Sequence, residues 1–421
     1  MERIGILRPL TIRDFALLWT GLSVSLVGDG IYVVAIAWQV YLLSNSPSAL
    51  AAVGVAWTLP QVLLVLLSGV LSDRVERRRM MIAGDLVRLV AIGAIGWLSL
   101  VDALSIPRLL GLVVLYGVGQ AAFGPASSSI VPGIVPPDLL VEANSLAQVV
   151  RPFAATLIGP LIGGLLVGGL GAGWAFIADA VSFAFSAGMI ASMRVRSRGR
   201  EDEGSASFWG DLREGLRYVR AHTWLWAAMV GALVSLLCTW GPWETLVPYV
   251  VKNDLGGSAR DLGLVFGAGG VGSVLAAVAM GQRGRLPRHA ITWLYASWAF
   301  AMLMTAGFGI VVGIWQAMIV AFFAESGITV LIVIWITLLQ RLVPTDLLGR
   351  VSALDWMISL GGVPLSFAIV GPLAGAIGTD TTLILAGVVG AAIVVAFLFI
   401  PGARDPERDG SLSVEPLIER R

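Results

Sequence analysis

The chain has 421 residues, of which 57% are hydrophobic and only 13% charged, with a mean hydropathy of +0.87. Soluble domains carry about 25% charged residues, and a water-exposed surface cannot be covered with half that supply. The formal net charge of +1 conceals a bias, because 27 of the 28 basic residues are arginine and Lys252 is the only lysine.

That lysine stands outside any Gly-Lys-Ser/Thr sequence, so a phosphate-cradling loop of the P-loop type is excluded as a power source. A single cysteine, Cys238, permits no internal disulfide and no cysteine metal cluster. His222 and His289 have no ligand-type residue at metal spacing, and no cofactor or metal is expected. No small-residue cleavage site follows the first apolar run, so no removable leader is expected.

A membrane-crossing helix needs about 20 mostly apolar residues. Twelve segments meet this in chain order: 14–43, 49–71, 81–101, 107–131, 144–168, 173–193, 223–251, 260–280, 290–311, 313–340, 352–376 and 381–400. The expected fold is therefore an all-α membrane protein with twelve transmembrane helices. An even number of spans places both termini on one side. Basic residues in short loops favour the cytoplasm. One face holds Arg108, Lys252 and Arg260, the other holds 23 basic residues including those of both tails, so both termini are expected to be cytoplasmic.

The longest connection separates two halves: 1–193 and 223–400 each carry six spans, 194–222 links them, and 401–421 is a polar tail expected to be disordered. Within the linker, Phe208, Leu212, Leu216 and Val219 recur at helical spacing between charged residues, which predicts an amphipathic helix along the membrane surface. An internal repeat supports the division. Val135-Pro-Pro-Asp138-Leu139-Leu140 returns as Val343-Pro-Thr-Asp346-Leu347-Leu348, and Gly159-Pro160-Leu161-Ile-Gly163 returns as Gly371-Pro372-Leu373-Ala-Gly375. The order is the same in both halves, as a duplicated six-helix unit requires.

Charged residues at membrane depth cost about 2.5–3.5 kcal/mol or more each and are functional candidates by default. Asp85 and Arg88, three apart on one helix face, are expected to pair and to be structural. Asp179 and Asp355, read as lying near interfaces, receive the same reading. Asp29, Glu244 and Glu325 have no basic residue within a turn. They are candidates for proton binding or substrate contact, the alternative being hydrogen bonding across the bundle or pairing with distant Arg151. Glu244 lies between Pro242 and Pro248, which predicts irregular backbone beside a water-filled cavity. Gly267-Ala-Gly269-Gly-Val-Gly272 has the spacing of a dinucleotide loop but sits inside a span, so close helix packing is expected there.

The loop after span 2, Gly69-Val-Leu71-Ser-Asp73-Arg74-Val-Glu76-Arg77-Arg78-Arg79, resembles the signature of the major facilitator superfamily. Glu76 stands where that signature has a second glycine. A carboxylate at Asp73 can accept the free amides of a helix N-terminus, with Arg77 holding it in place. The resemblance thus implies a conformational gate of Gly69, Asp73, Arg74, Arg77 and Arg78. In span 5, Ala155-Thr-Leu-Ile-Gly159-Pro160-Leu-Ile-Gly163-Gly164 is similar to the motif of the superfamily's antiporters, with Ala155 in place of its first glycine. It marks Gly159, Pro160, Gly163 and Gly164, and it favours export. Span 4 departs from the drug–proton antiporters: Leu115-Tyr116-Gly117-Val118-Gly119-Gln120 lacks their arginine. Gly28-Asp29-Gly30 and the linker sequence resemble the enterobactin-exporter and macrolide-efflux branch, over nearly the whole chain.

What the resemblance implies is a proton-coupled exporter of an amphiphilic small molecule, such as a drug or siderophore, working by alternating access in a bacterial cytoplasmic (inner) membrane. Asp29 and Glu325 would carry protons. Glu244, with Trp38, Trp240, Trp243, Phe323 and Trp335, would line the substrate cavity, since spans 1, 4, 7 and 10 line it in this superfamily. Expected partners are the substrate, protons and the lipid bilayer, with no nucleic acid, and the expected state is a monomer. A lysophospholipid flippase or an importer of the same fold is the alternative. A polytopic membrane enzyme or sensor fits less well, because no His/Asp cluster or appended domain is present. Sodium coupling is disfavoured because hard cations want several oxygen ligands and no span clusters its carboxylates.

Overall fold

A computed structural model describes residues 5–71, 76–136, 139–194, 208–283 and 286–408. Among them, twelve helices are long and apolar enough to cross a membrane. Helix is the form such segments must take, since lipid offers no partner to an open backbone amide or carbonyl.

The first half contains α1 (Arg13–Leu43), α2 (Pro47–Leu71), α3 (Arg77–Leu100), α4 (Ile106–Ile130), α5 (Leu140–Arg151), α6 (Gly159–Leu170) and α7 (Ala172–Ala191). The expected fifth span is not one regular helix. A π-helical turn, Pro152–Ile158, joins α5 to α6, and Pro160 follows at the first turn of α6. A proline inside a continuous helix cannot supply an amide to the turn before it, and the π turn at Pro152–Ile158 precedes that missing bond.

After α8 (Phe208–Ala221) come α9 (Thr223–Tyr249), α10 (Ala259–Arg283), α11 (Ala290–Gly307), α12 (Ile314–Leu342), α13 (Thr345–Ile377) and α14 (Thr379–Phe397). The irregularity predicted around Glu244 lies elsewhere. α9 runs unbroken through Pro242 and Pro248, and the π turn comes immediately after, at Val250–Asp254. The repeat reappears as geometry. Gly171 (φ +92°) turns the chain from α6 into α7, and Gly378 (φ +87°) turns it from α13 into α14. Only glycine adopts this backbone without strain.

Two compact units are resolved: residues 1–203 with 247–270 and 312–318, and residues 204–246 with 271–311 and 319–421. In the first, α1, α3 and α7 pack together, α4 lies against α2 and α3, and α6 lies against α1. A core cluster in that unit gathers Phe15, Leu18, Met81, Phe123, Ile130 and Ile190. In the second, α11 pairs with α14 and α8 with α13, around Leu225, Met229, Leu294, Tyr295, Leu338 and Val394.

The amphipathic linker helix α8 presses its apolar side onto helices, with Val219 buried and Leu216 and Tyr218 packed on the same core. Tyr218 donates to the Leu342 carbonyl at 3.1 Å, and burial pushes its phenol above the ordinary value. Glu214 accepts from Arg350 at 2.5 Å. The start of the tail is folded rather than disordered. Ala403 and Pro406 are buried, and Glu407 accepts from the Thr292 amide at 2.6 Å and the Thr292 hydroxyl at 3.0 Å. A carboxylate at this position completes the open amides of the first turn of α11.

Candidate functional site

In the first unit, α1, α3, α4 and α7 bring three carboxylates and one guanidinium into the interior. Asp85 and Arg88 are almost wholly buried and pair with each other, as their spacing predicts. The Arg88 guanidinium lies between two rings, 4.2 Å from the centroid of Phe123 and 4.4 Å from that of Phe183. It also donates to Gln120 Oε1 at 2.8 Å. The stretch Leu115–Gln120 of span 4, which has no arginine, thus receives one from α3 at its glutamine. Gly117 could not carry that arginine, because a methyl there would lie 2.5 Å from the Trp57 carbonyl oxygen.

Asp29 is half-buried and accepts from the Tyr116 hydroxyl at 3.1 Å. Tyr116 stacks obliquely on Tyr32, with centroids 5.0 Å apart. Asp179 requires a correction to the expectation of an interfacial position. It is the eighth residue of the 20-residue α7, fully buried, and its Oδ1 accepts from Ser182 at 3.3 Å. Sequence reasoning reads Asp179 as structural and assigns no site role to Tyr116, Gln120 or Lys252. Tyr116 and Gln120 lay within the stretch noted for its missing arginine, and Lys252 was visible only as the lone lysine.

Lys252 belongs to the same unit. It donates to the Tyr41 carbonyl at 2.6 Å and to Asn45 Oδ1 at 3.1 Å. Its ammonium is 5.8 Å from the ring centroid of Trp38, so this predicted cavity residue faces a cation. Tyr41 and Tyr249 meet edge to face at 5.5 Å.

The glycines of span 5 serve two neighbours. Methyl groups at Gly159 and Gly163 would lie 2.6 Å from Gly30 Cα and 3.0 Å from Ile31 Cα, both on α1. One at Gly164 would lie 2.9 Å from the Ala259 carbonyl and from Gly263 Cα on α10. Gly267, within the discarded dinucleotide-like spacing, packs on Leu161, and Gly270 on Leu157. Helix α6 is thus held at backbone contact on both sides.

The other predicted residues fall in the second unit. Glu244 on α9 and Glu325 on α12 are close enough for the charge of Glu325 to act on Glu244. Trp243 meets Phe308 edge to face at 5.6 Å. Phe323 packs on Phe322 and Phe300 at 5.2 and 6.2 Å while keeping an exposed ring, as does Trp240. Trp335 donates to Asp355 Oδ2 at 3.0 Å and lies 6.3 Å from Trp224. Of the predicted gate, Gly69 lies near the end of α2, while Asp73 and Arg74 fall outside the described residues. Arg78 donates to the carbonyls of Ile190 (3.0 Å) and Ala191 at the end of α7, where cations suit a helix terminus. Arg77 begins α3.

Twelve apolar helices, repeated turns and ionisable groups buried in mid-helix define a polytopic membrane transporter rather than an enzyme. Solved structures agree on the fold. A bacterial homologue of the iron transporter ferroportin in its inward-facing state superposes with a TM-score of 0.67 at 15% identity, covering 91% of this chain and 98% of that one. A POT family transporter superposes with 0.69 at 12% identity, covering 94% and 96%. Residues 4–416 match the model of the Transmembrane secretion effector family, and the chain belongs to that family of the major facilitator superfamily. The multidrug efflux pump Tap of Mycolicibacterium fortuitum is 26% identical, over 94% of this chain and 97% of its own. Macrolide efflux protein A of Streptococcus pyogenes is 22% identical, over 89% and 92%. The chain is accordingly a multi-pass protein of a bacterial cytoplasmic (inner) membrane.

Proposed function

We propose that this protein is a proton-driven exporter of amphiphilic small molecules, with both termini in the cytoplasm and the monomer as the working unit. Its six-span halves, 1–193 and 223–400, would alternate access to a cavity lined by Trp38, Trp240, Trp243, Phe323 and Trp335. Export is favoured by the two efflux relatives and by the antiporter-like glycines of α6. The observation that carries the coupling is Asp29, an acid in mid-helix whose one hydrogen bond among the described residues comes from a neutral hydroxyl, that of Tyr116. No basic side chain hydrogen-bonds that carboxylate among the described residues, and a group of that kind at membrane depth can load and release a proton as its surroundings change. Glu325 has the same role in the second unit. Glu244, beside it, contacts substrate. Gly69, Asp73, Arg74, Arg77 and Arg78 bias the two access states.

The test uses proteoliposomes without sodium, with erythromycin and ethidium as probes. A proton gradient should drive uphill movement of at least one probe, and adding that probe should move protons. Asp29→Asn and Glu325→Gln should each abolish uphill transport while probe binding and downhill exchange persist. Glu244→Gln should instead change affinity and the preference between probes. Full gradient-driven transport by all three variants would make these acids structural.

A further inference from the structure

We propose that Asp29 and Asp179 form a single proton-binding site, holding one proton between α1 and α7. This deepens the proton-coupled reading above and rests on it for its part in transport. The first argument is charge. Around this site stand Asp29 on α1, Asp85 and Arg88 on α3, Tyr116 on α4 and Asp179 on α7, and Arg151 at the end of α5 acts on Asp29 from farther off. Among the described residues, Arg88 is the cation that acts on all three carboxylates, and its guanidinium is already committed to Asp85 and Gln120. Asp29 and Asp179 share what remains. Two carboxylates on neighbouring helices, of which Asp179 is fully buried, resist carrying both charges at once.

The second argument is hydrogen bonding. Among the described residues, Asp179 Oδ2 and Arg88 Nε are buried without a partner, on residues no more than 1% exposed. Buried polar atoms are almost always satisfied, so an open carboxylate oxygen on Asp179 points to a proton that completes it. Ser186 instead offers its hydroxyl to Asp85. A proton on Asp179 Oδ2 turns an unsatisfied acceptor into a donor directed into this cluster.

The third argument is the backbone that joins the two acids. Gly28, next to Asp29, lies so close to Asp179 Oδ1 and Ser182 Oγ that any side chain would collide with them. The close approach of α1 and α7 therefore depends on this glycine. It places the two carboxylates on facing helices rather than along one, and a shared proton becomes sensitive to how those helices sit.

Infrared spectroscopy of the full chain in lipid at neutral pH tests the site, because a protonated carboxyl absorbs apart from a carboxylate. Asp179→Asn and Asp29→Asn should each remove the band of one protonated carboxyl, since the acid left behind then ionises. The double variant should remove no more than either single one. An unchanged band in both single variants, or a loss in the double variant twice that of each single, would overturn the proposal. Asp29→Asn alters a half-buried position, so an unchanged band in that variant alone overturns the pair even where Asp179→Asn fails to fold. The export reading is judged separately on the parent protein. If a proton gradient moves neither ethidium nor erythromycin, export falls and the band result still decides the pair. If the gradient moves them and the band fails, only the pair falls.

Discussion

Lys252 is a point charge in a chain that otherwise uses arginine, and its geometry explains the choice. An ammonium donates in several directions from one small centre, whereas a guanidinium donates in a planar fork. Here the acceptors are a backbone carbonyl at the end of α1 and the Asn45 amide just beyond it, with Trp38 and Tyr41 at cation–ring distance. If the proposed alternating access moves the turn after α9 away from α1, these bonds would oppose that step. Lys252→Met should remove about 1.5 kcal/mol, the low end for hydrogen bonds from a charged donor, which is roughly a tenfold change in population. Spin labels at cysteines replacing Ser46 and Ser258, in a Cys238→Ala background, should report a larger fraction of long distances. An unaltered distance distribution would remove Lys252 from the conformational balance.

Among elements, α6 is the most constrained, because its glycines meet α1 on one side and α10 on the other at backbone distance. A larger side chain at Gly164 has no flexible neighbour to displace, only the Ala259 carbonyl and Gly263 Cα. Gly164→Leu should therefore separate α6 from α10 at a cost of about 1–3 kcal/mol, as overpacking does. Transport of erythromycin or ethidium at matched expression should fall severalfold. Gly111→Leu on α4, where a methyl meets nothing within 4 Å, should leave it unchanged. Equal transport by the two variants would mean that the α6–α10 contact is not used. The span-5 motif announced a packing surface through its residue types. It did not announce two partners, because which face meets which helix depends on residues about a hundred positions away.

At the scale of the whole molecule, the proposed orientation rests on arginine placement and is open to direct test. Cysteines at Ser46 or Ser258 should react with a membrane-impermeant maleimide in intact cells. A cysteine replacing Arg220, exposed on α8, should react only after lysis. Labelling of position 220 from outside would reverse the orientation and, with it, the direction assigned to transport.

The sequence by itself determined the class of protein and the number of spans, because lipid demands long apolar helices and positive loops regardless of how those helices pack. It also identified Asp29, Glu244 and Glu325 as costly residues and Asp85 with Arg88 as neighbours, since a cost or a spacing within one helix is local. The tertiary structure alone decided which acids face one another. It brought Asp179 from an expected interface to the centre of α7, delivered Arg88 to Gln120, and set Glu325 beside Glu244. Helices that are apolar on every side carry no stripe marking the inward face, so rotation and register are settled by glycine contacts between distant segments. Those contacts, not the local pattern, determine where a proton can be held.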